Sequence, residues 1–226
     1  NTITNAGGIA GFNYANTASQ LYSLAQQFGG SKGVIIASET ASATNSRGQY
    51  RNQNNNSSSD NAYHLTSYDT SKVNWGITAH DSIYNTYQYD CVAGEFVWTG
   101  FDYIGEPTPY STKNSYFGQY DTAGFPKDSV YVFRAEWTDY KKSPFVHIFP
   151  YWDFTDGQEI DVRVTTNAPF VKLFFNGSEI ASKEIDHLHG KELTLDTIIK
   201  YEKGELCAVA YDENGKLCIA ESALKD

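Results

Sequence analysis

The 226-residue sequence has no methionine and only three cysteines. Cys91, Cys207 and Cys218 are too few and too scattered for a disulfide framework, so we predict three free thiols. No spacing of cysteine and histidine is typical of a zinc site, and we expect neither a metal nor a cofactor. Because the chain starts at Asn1 and lacks methionine, we expect it to be a piece of a longer or processed polypeptide.

Positive charge is also scarce. Lys and Arg total 17 against 27 Asp and Glu, which gives a formal net charge of −10. Nucleic-acid binding requires a basic stripe, and an anionic membrane surface attracts basic segments, so we expect neither partner. Apolar runs stay shorter than the ~20 residues needed to span a bilayer, and membrane insertion is not expected. The sequence leaves the cellular location open.

Aromatic residues are abundant, at 15% of the chain with 17 Tyr and 4 Trp. The hydrophobic fraction of 40% is enough for one large domain or two smaller ones with real cores. In glycan-active proteins aromatic rings serve as platforms for the apolar faces of sugars, and core packing is the alternative for most of them.

Residues 1 to about 140 alternate short apolar strands with helical stretches. Strands are predicted at residues 8–14, 33–39 and 94–101, and helices at 17–28 and 78–89. The run GVIIASE (33–39) has the continuous apolar character of a buried parallel strand and ends in a carboxylate, Glu39. The polar stretch between residues 40 and 72 is predicted to be a long exposed loop.

The pattern changes from about residue 145. EIDVRV (159–164) alternates with period two, and Asn-Gly pairs at 176–177 and 214–215 are strong hairpin signals. Short strands at about ten-residue spacing predict an immunoglobulin-like β-sandwich. We therefore divide the chain into residues 1–143 and residues 144–226.

Four segments carry a resemblance to a known family. They are SETASAT (38–44), GEFVWTGFDY (94–103), GEPTPY (105–110) and DTAGFPKD (121–128). Together they resemble the nucleophile segment and the last barrel strand of glycoside hydrolase family 2, most closely its β-galactosidases. The segment around FFNG (174–177) is similar to the immunoglobulin-like module that follows in such enzymes.

The resemblance implies an α/β fold, with residues 1–143 as the C-terminal part of a (β/α)8 barrel. It also implies that Glu39 is the catalytic nucleophile of a retaining mechanism, that Tyr14 orients it, and that Trp98 closes the sugar pocket. Without the motif, Glu39 would be read as a surface charge, and Tyr14 and Trp98 as core aromatics. Asp102, Glu106 and Arg47 either line the pocket or brace loops.

The family's acid/base residue is a glutamate that follows an asparagine, and no such pair precedes Glu39. A full barrel takes ~250 residues, so a missing N-terminal portion or a second copy is the expected partner. We therefore expect the acid/base residue to lie upstream of Asn1 and the chain to be inactive alone.

The predicted substrate is a terminal β-galactoside or related glycan. β-Glucuronidase and β-mannosidase activities are the enzymatic alternatives, because loops decide the sugar. A glucuronidase needs a basic group for the sugar carboxylate, and only Arg47 is a candidate. A non-catalytic carbohydrate-binding module or a structural spacer, built on residues 144–226, is the alternative of another class.

Overall fold

The computed structural model describes residues 2–50, 64–108, 110–188 and 190–224. The chain divides into two compact units, Asn1–Lys127 and Asp128–Asp226. This division places the segment 128–143 with the second unit, whereas the sequence reading kept it with the first. Compactness alone does not decide where a family's domains begin, so the boundary at 143/144 stays a prediction.

The first unit contains a parallel three-stranded sheet and three helices. In chain order they are α1 (Thr2–Asn5), β1 (Ala10–Asn13), α2 (Ala18–Phe28), β2 (Ile35–Ala41), α3 (Ala79–Tyr87) and β3 (Val92–Trp98). The strand order is β1-β2-β3, and both ladders are parallel. All five strands and helices predicted for residues 8–101 lie where the sequence places them, within a few residues at their ends.

Local chemistry fixes the start of both long helices. The Thr17 hydroxyl accepts a hydrogen bond from the Gln20 amide, and Thr78 does the same for Asp81, so each threonine is an N-cap. Leu21 and Ala25, one turn apart on α2, pack on the sheet in a small core with Ile35.

The predicted (β/α)8 barrel segment is wrong for this chain. In the described part of residues 1–127, the strands form an open three-stranded sheet that does not close. The other seven strands found among the described residues belong to antiparallel sheets. The physical reason is that βα alternation specifies parallel neighbours, whereas barrel closure depends on strand number and stagger, which the local pattern does not contain.

The long polar stretch was also misread. Residues 52–60 lie outside the described residues, but both flanks, residues 41–46 and 65–69, are buried rather than exposed. Hydrogen bonds replace water for their polar groups: the Ser46 amide donates to the Leu65 carbonyl (3.2 Å), and the Ser67 amide donates to the Gln49 carbonyl (2.8 Å). Polar composition predicts exposure only when such partners are absent.

The second unit is a β-sandwich preceded by a helix. Its elements are α4 (Asp128–Trp137), β4 (Val146–Phe149), β5 (Glu159–Thr166), β6 (Phe170–Phe175), β7 (Ser178–Glu184), β8 (Thr194–Lys200), β9 (Glu205–Tyr211) and β10 (Leu217–Leu224). One sheet has the order β10-β9-β6-β7 and the other β4-β5-β8, and all pairings are antiparallel. This arrangement agrees with the immunoglobulin-like part of the prediction.

Alternation along the strands builds the sandwich core. Ile160, Val162 and Val164 of β5 point inward and pack with Leu173 of β6 in one buried cluster. Asn176 and Gly177, with φ of 48° and 79°, make the predicted turn between β6 and β7. The three cysteines are free, as predicted. No helix in the described ranges is long and apolar enough to cross a membrane.

Truncating the sandwich core should cost stability. Leu173 is 0% exposed and Leu217 is 57% exposed. We expect Leu173→Ala to lower the free energy of unfolding by about 2–5 kcal/mol, because it leaves a cavity. The matched control Leu217→Ala should change it by less than about 0.5 kcal/mol. Urea unfolding measures both, and equal losses would contradict the assigned core.

Candidate functional site

The three predicted site residues meet at the carboxyl ends of the three parallel strands. Tyr14 follows β1, Glu39 lies in β2, and Trp98 is the last residue of β3. Asn13 pairs with Glu39 and Ala41 pairs with Trp98 in the two ladders. The Tyr14 amide donates to the Glu39 carbonyl at 2.8 Å, which ties the two site residues together through the backbone.

A cavity of about 450 Å³ opens at this edge of the sheet. Its size falls in the range of small-molecule sites. Two carboxylates line it, Glu39 and Glu106, together with the Ser42 hydroxyl. The aromatic residues that line it are Tyr14, Trp75, Trp98, Tyr103, Tyr110 and Phe117. The structure therefore brings Glu39, Tyr14 and Trp98 into one cavity, while their roles remain predictions.

Tyr14 lies beside Glu39 and contacts Ser42. The Tyr14 hydroxyl lies 2.7 Å from the Ser42 Oγ, within hydrogen-bond distance, and it interacts electrostatically with the Glu39 carboxylate. Burial, together with the interaction with Glu39, raises the pKa of Tyr14 to about 12. The Tyr14 hydroxyl therefore keeps its proton at neutral pH and can act as a hydrogen-bond donor.

Glu95 is a second acidic group near the nucleophile candidate, but it faces away from the cavity. Strand alternation puts Thr40 on the opposite face from Glu39, and the Thr40 hydroxyl donates to the Glu95 Oε2 at 2.7 Å. Ser82 of α3 donates to the same oxygen. Burial raises the pKa of Glu95 in spite of these donors. Glu95 thus links β2, β3 and α3 behind Glu39.

The three loop residues left open by the sequence have different places. Glu106 lines the cavity. Arg47 pairs with Asp121 at 2.7 Å, outside the lining. Asp102 forms a buried ion pair with Lys127, also at 2.7 Å, so it braces a loop. In the described part of the chain, no cluster of acidic, histidine or cysteine side chains could hold a metal ion.

The chain is similar to known glycosidases. The β-galactosidase BoGH2A of Bacteroides ovatus is 38% identical over 205 residues, which is 84% of this chain and 23% of that protein. A putative β-glucuronidase of Formosa agariphila is 36% identical over 134 residues, which is 55% of this chain and 12% of that one.

A solved β-glycosidase structure from Bacteroides vulgatus matches 96% of this chain and 30% of its own, with a TM-score of 0.78 and 25% identity. The chain is homologous to glycoside hydrolase family 2. The predicted resemblance is thereby confirmed. Residues 157–219 also match a family described as a domain of unknown function, DUF4982. The chain spans 23% of the length of BoGH2A and 30% of that of the Bacteroides vulgatus structure.

Trp75 is a site residue that the sequence reading missed. It is 55% exposed and lines the cavity beside Tyr14. Asn16 donates a side-chain hydrogen bond to the Trp75 carbonyl and fixes its backbone. A tryptophan in a polar, irregular stretch gives no periodic signal. The signal in the sequence that this segment packs closely against another is the glycine that follows Trp75, Gly76.

Gly76 is required by a close backbone approach. The strand β2 ends in two residues with left-handed conformation, Ala41 (φ 60°) and Ser42 (φ 54°). The Ile77 amide donates to the Ala41 carbonyl at 2.7 Å, which brings the Trp75 segment onto this turn. A Cβ at Gly76 would lie 2.6 Å from that oxygen and 2.8 Å from the Ser42 carbonyl oxygen.

Gly76→Ala should therefore displace the Trp75 segment. We expect a loss of about 1–3 kcal/mol in the free energy of unfolding, because two carbonyl groups must shift. The matched control is Gly100→Ala, since a Cβ at Gly100 meets nothing within 4 Å. Urea unfolding followed by tryptophan fluorescence compares the two variants. A Gly76→Ala protein as stable as the control would refute the close approach.

Proposed function

We propose that this chain carries the nucleophile, Glu39, of a retaining β-glycosidase whose complete form hydrolyses terminal β-galactosides. The observation that carries the proposal is the grouping of Glu39, Tyr14 and Trp98 around one cavity at the carboxyl ends of parallel strands. The homology to family 2 glycosidases supports the reaction class, and a relative named β-galactosidase supports the sugar.

In the first proposed step, a Glu39 oxygen attacks the anomeric carbon and forms a glycosyl ester. The bond from that carbon to the leaving oxygen breaks, and a general acid gives the leaving oxygen its proton. In the second step, water attacks the same carbon, loses a proton to the same group, and releases the Glu39 carboxylate. Two inversions at one carbon retain its configuration.

The neighbours of Glu39 suit this role. A protonated Tyr14 hydroxyl beside Glu39 can stabilise the carboxylate as its charge changes during attack. Trp98 presents a ring on which the apolar face of a sugar can pack. Trp75 adds a second indole to the same cavity.

β-Glucuronidase is the second candidate, since relatives carry that name. The basic residue considered for the sugar carboxylate was Arg47. It is held by Asp121 and lies over the Phe125 ring, 5.0 Å from its centroid, instead of lining the cavity. This placement favours a neutral sugar.

For the second unit, we favour a structural role over glycan binding. Two of its large aromatics, Trp152 and Tyr201, are core residues: each is 1% exposed, and they pack together with ring centroids 5.2 Å apart. The Trp152 indole N–H donates to the Glu202 carbonyl at 3.1 Å. These two buried rings cannot serve as a sugar platform, whereas Trp137 and Tyr151 are 54% and 53% exposed.

Replacing the nucleophile tests the proposal in the complete protein. Glu39→Gln should lower kcat for a nitrophenyl β-galactoside by roughly three orders of magnitude or more, because the covalent intermediate cannot form. The control Glu159→Gln alters an exposed residue of β5 and should leave kcat unchanged. A 2-fluoro-galactoside should label a peptide that contains Glu39. Labelling elsewhere, or near-normal turnover, would refute the assignment.

The 226-residue chain by itself should be inactive. We propose that the general acid lies on another portion of the enzyme, and general acid assistance is commonly worth ~10²–10⁴-fold. The purified chain should show no turnover of a nitrophenyl β-galactoside, once its mass is verified and host β-galactosidase is excluded. Turnover that Glu39→Gln abolishes would disprove this, and Glu106 would become the first candidate for the acid.

A further inference from the structure

We infer that Glu106 determines substrate specificity: its carboxylate receives hydroxyl groups of a neutral sugar and disfavours a uronic acid in the same cavity. This inference rests on the proposed function and names the substrate class of that site.

Glu106 is held in a defined orientation toward the Trp98 side of the cavity. The Tyr103 hydroxyl donates to the Glu106 Oε2 at 2.9 Å. The Tyr103 ring packs edge-on against Trp98, with centroids 6.2 Å apart and an interplanar angle of 87°. Burial and the nearby carboxylate raise the pKa of Tyr103, so its hydroxyl stays protonated and keeps donating. Glu106 is thus fixed relative to the proposed sugar platform.

The loop that carries Glu106 is anchored on both sides. Before it, Asp102 accepts hydrogen bonds from the Lys127 ammonium (2.7 Å) and from the Gly118 amide (2.8 Å). After it, the Ser115 amide donates to the Tyr103 carbonyl at 2.8 Å. A charged group on an anchored loop loses little further conformational entropy when it binds a ligand.

The cavity around Glu106 is negatively charged. Glu39 and Glu106 both line it, and no lining side chain among the described residues is cationic. The nearby cations are engaged elsewhere: Arg47 pairs with Asp121, and Lys127 pairs with Asp102. A uronic acid would add a third carboxylate and its repulsion, whereas sugar hydroxyls donate charge-assisted hydrogen bonds to carboxylates.

A positioning role suits Glu106 better than an acid role. The residue is exposed, and its Oε2 already accepts a hydrogen bond from the Tyr103 hydroxyl. An oriented carboxylate that already serves as an acceptor is placed to accept further hydrogen bonds from sugar hydroxyls.

The test compares two substrates in the complete enzyme. Glu106→Gln should lower kcat/KM for 4-nitrophenyl β-galactoside roughly 10- to 100-fold, mainly through KM, as expected for the loss of a hydrogen bond to a charged acceptor. The ratio of kcat/KM for the galactoside to that for the glucuronide should fall at least about tenfold. Tyr103→Phe, which frees the carboxylate, should change the ratio in the same direction but less.

The control is Asp81→Asn, which removes an exposed acidic group from the first turn of α3 and should leave the ratio unchanged. An unchanged ratio in Glu106→Gln would overturn the inference. So would a fall in kcat that a 2,4-dinitrophenyl leaving group or azide restores, because that pattern identifies a general acid. If the unsubstituted enzyme hydrolyses no β-glycoside, the proposed function fails before any variant is compared, which separates the two failures.

Discussion

The site depends on the register of two parallel ladders. Asn13 lies opposite Glu39, and Ala41 lies opposite Trp98, so one edge of the sheet carries all three predicted residues. A shift of one residue would turn each side chain to the other face, because strand side chains alternate. Glu39 would then exchange places with Thr40, which now faces α3 and donates to Glu95. The same register that presents one carboxylate to the cavity buries another behind it.

Around this edge, the polypeptide is held by polar contacts more than by a hydrophobic core. The first unit's described apolar cluster is small and lies between α2 and the sheet. The cavity walls come instead from irregular segments, whose buried serines, threonines and amides bond to one another. Removing a partner from such a wall is costly, since an unpaired buried group costs about 1–3 kcal/mol. This makes the Asp102–Lys127 pair important for the loop that carries Glu106.

The second unit is stabilised mainly by a hydrophobic core. Its core is apolar and continuous between two antiparallel sheets, and its hairpins are set by Asn-Gly turns. Two of its large aromatic rings, those of Trp152 and Tyr201, lie inside this core.

The sequence by itself determined the local elements and singled out Glu39 as the candidate nucleophile. Caps at Thr17 and Thr78, the apolar run before Glu39 and the turn at Asn176 are local signals, and each is visible within a few residues. Only the tertiary structure decided that three strands form an open sheet, that polar residues 41–46 are buried, and that Trp75 and Glu106 join Glu39 in one cavity. These features depend on contacts between residues far apart in the chain. Hydrogen-bond partners and strand closure leave no period or spacing in the sequence from which they can be inferred.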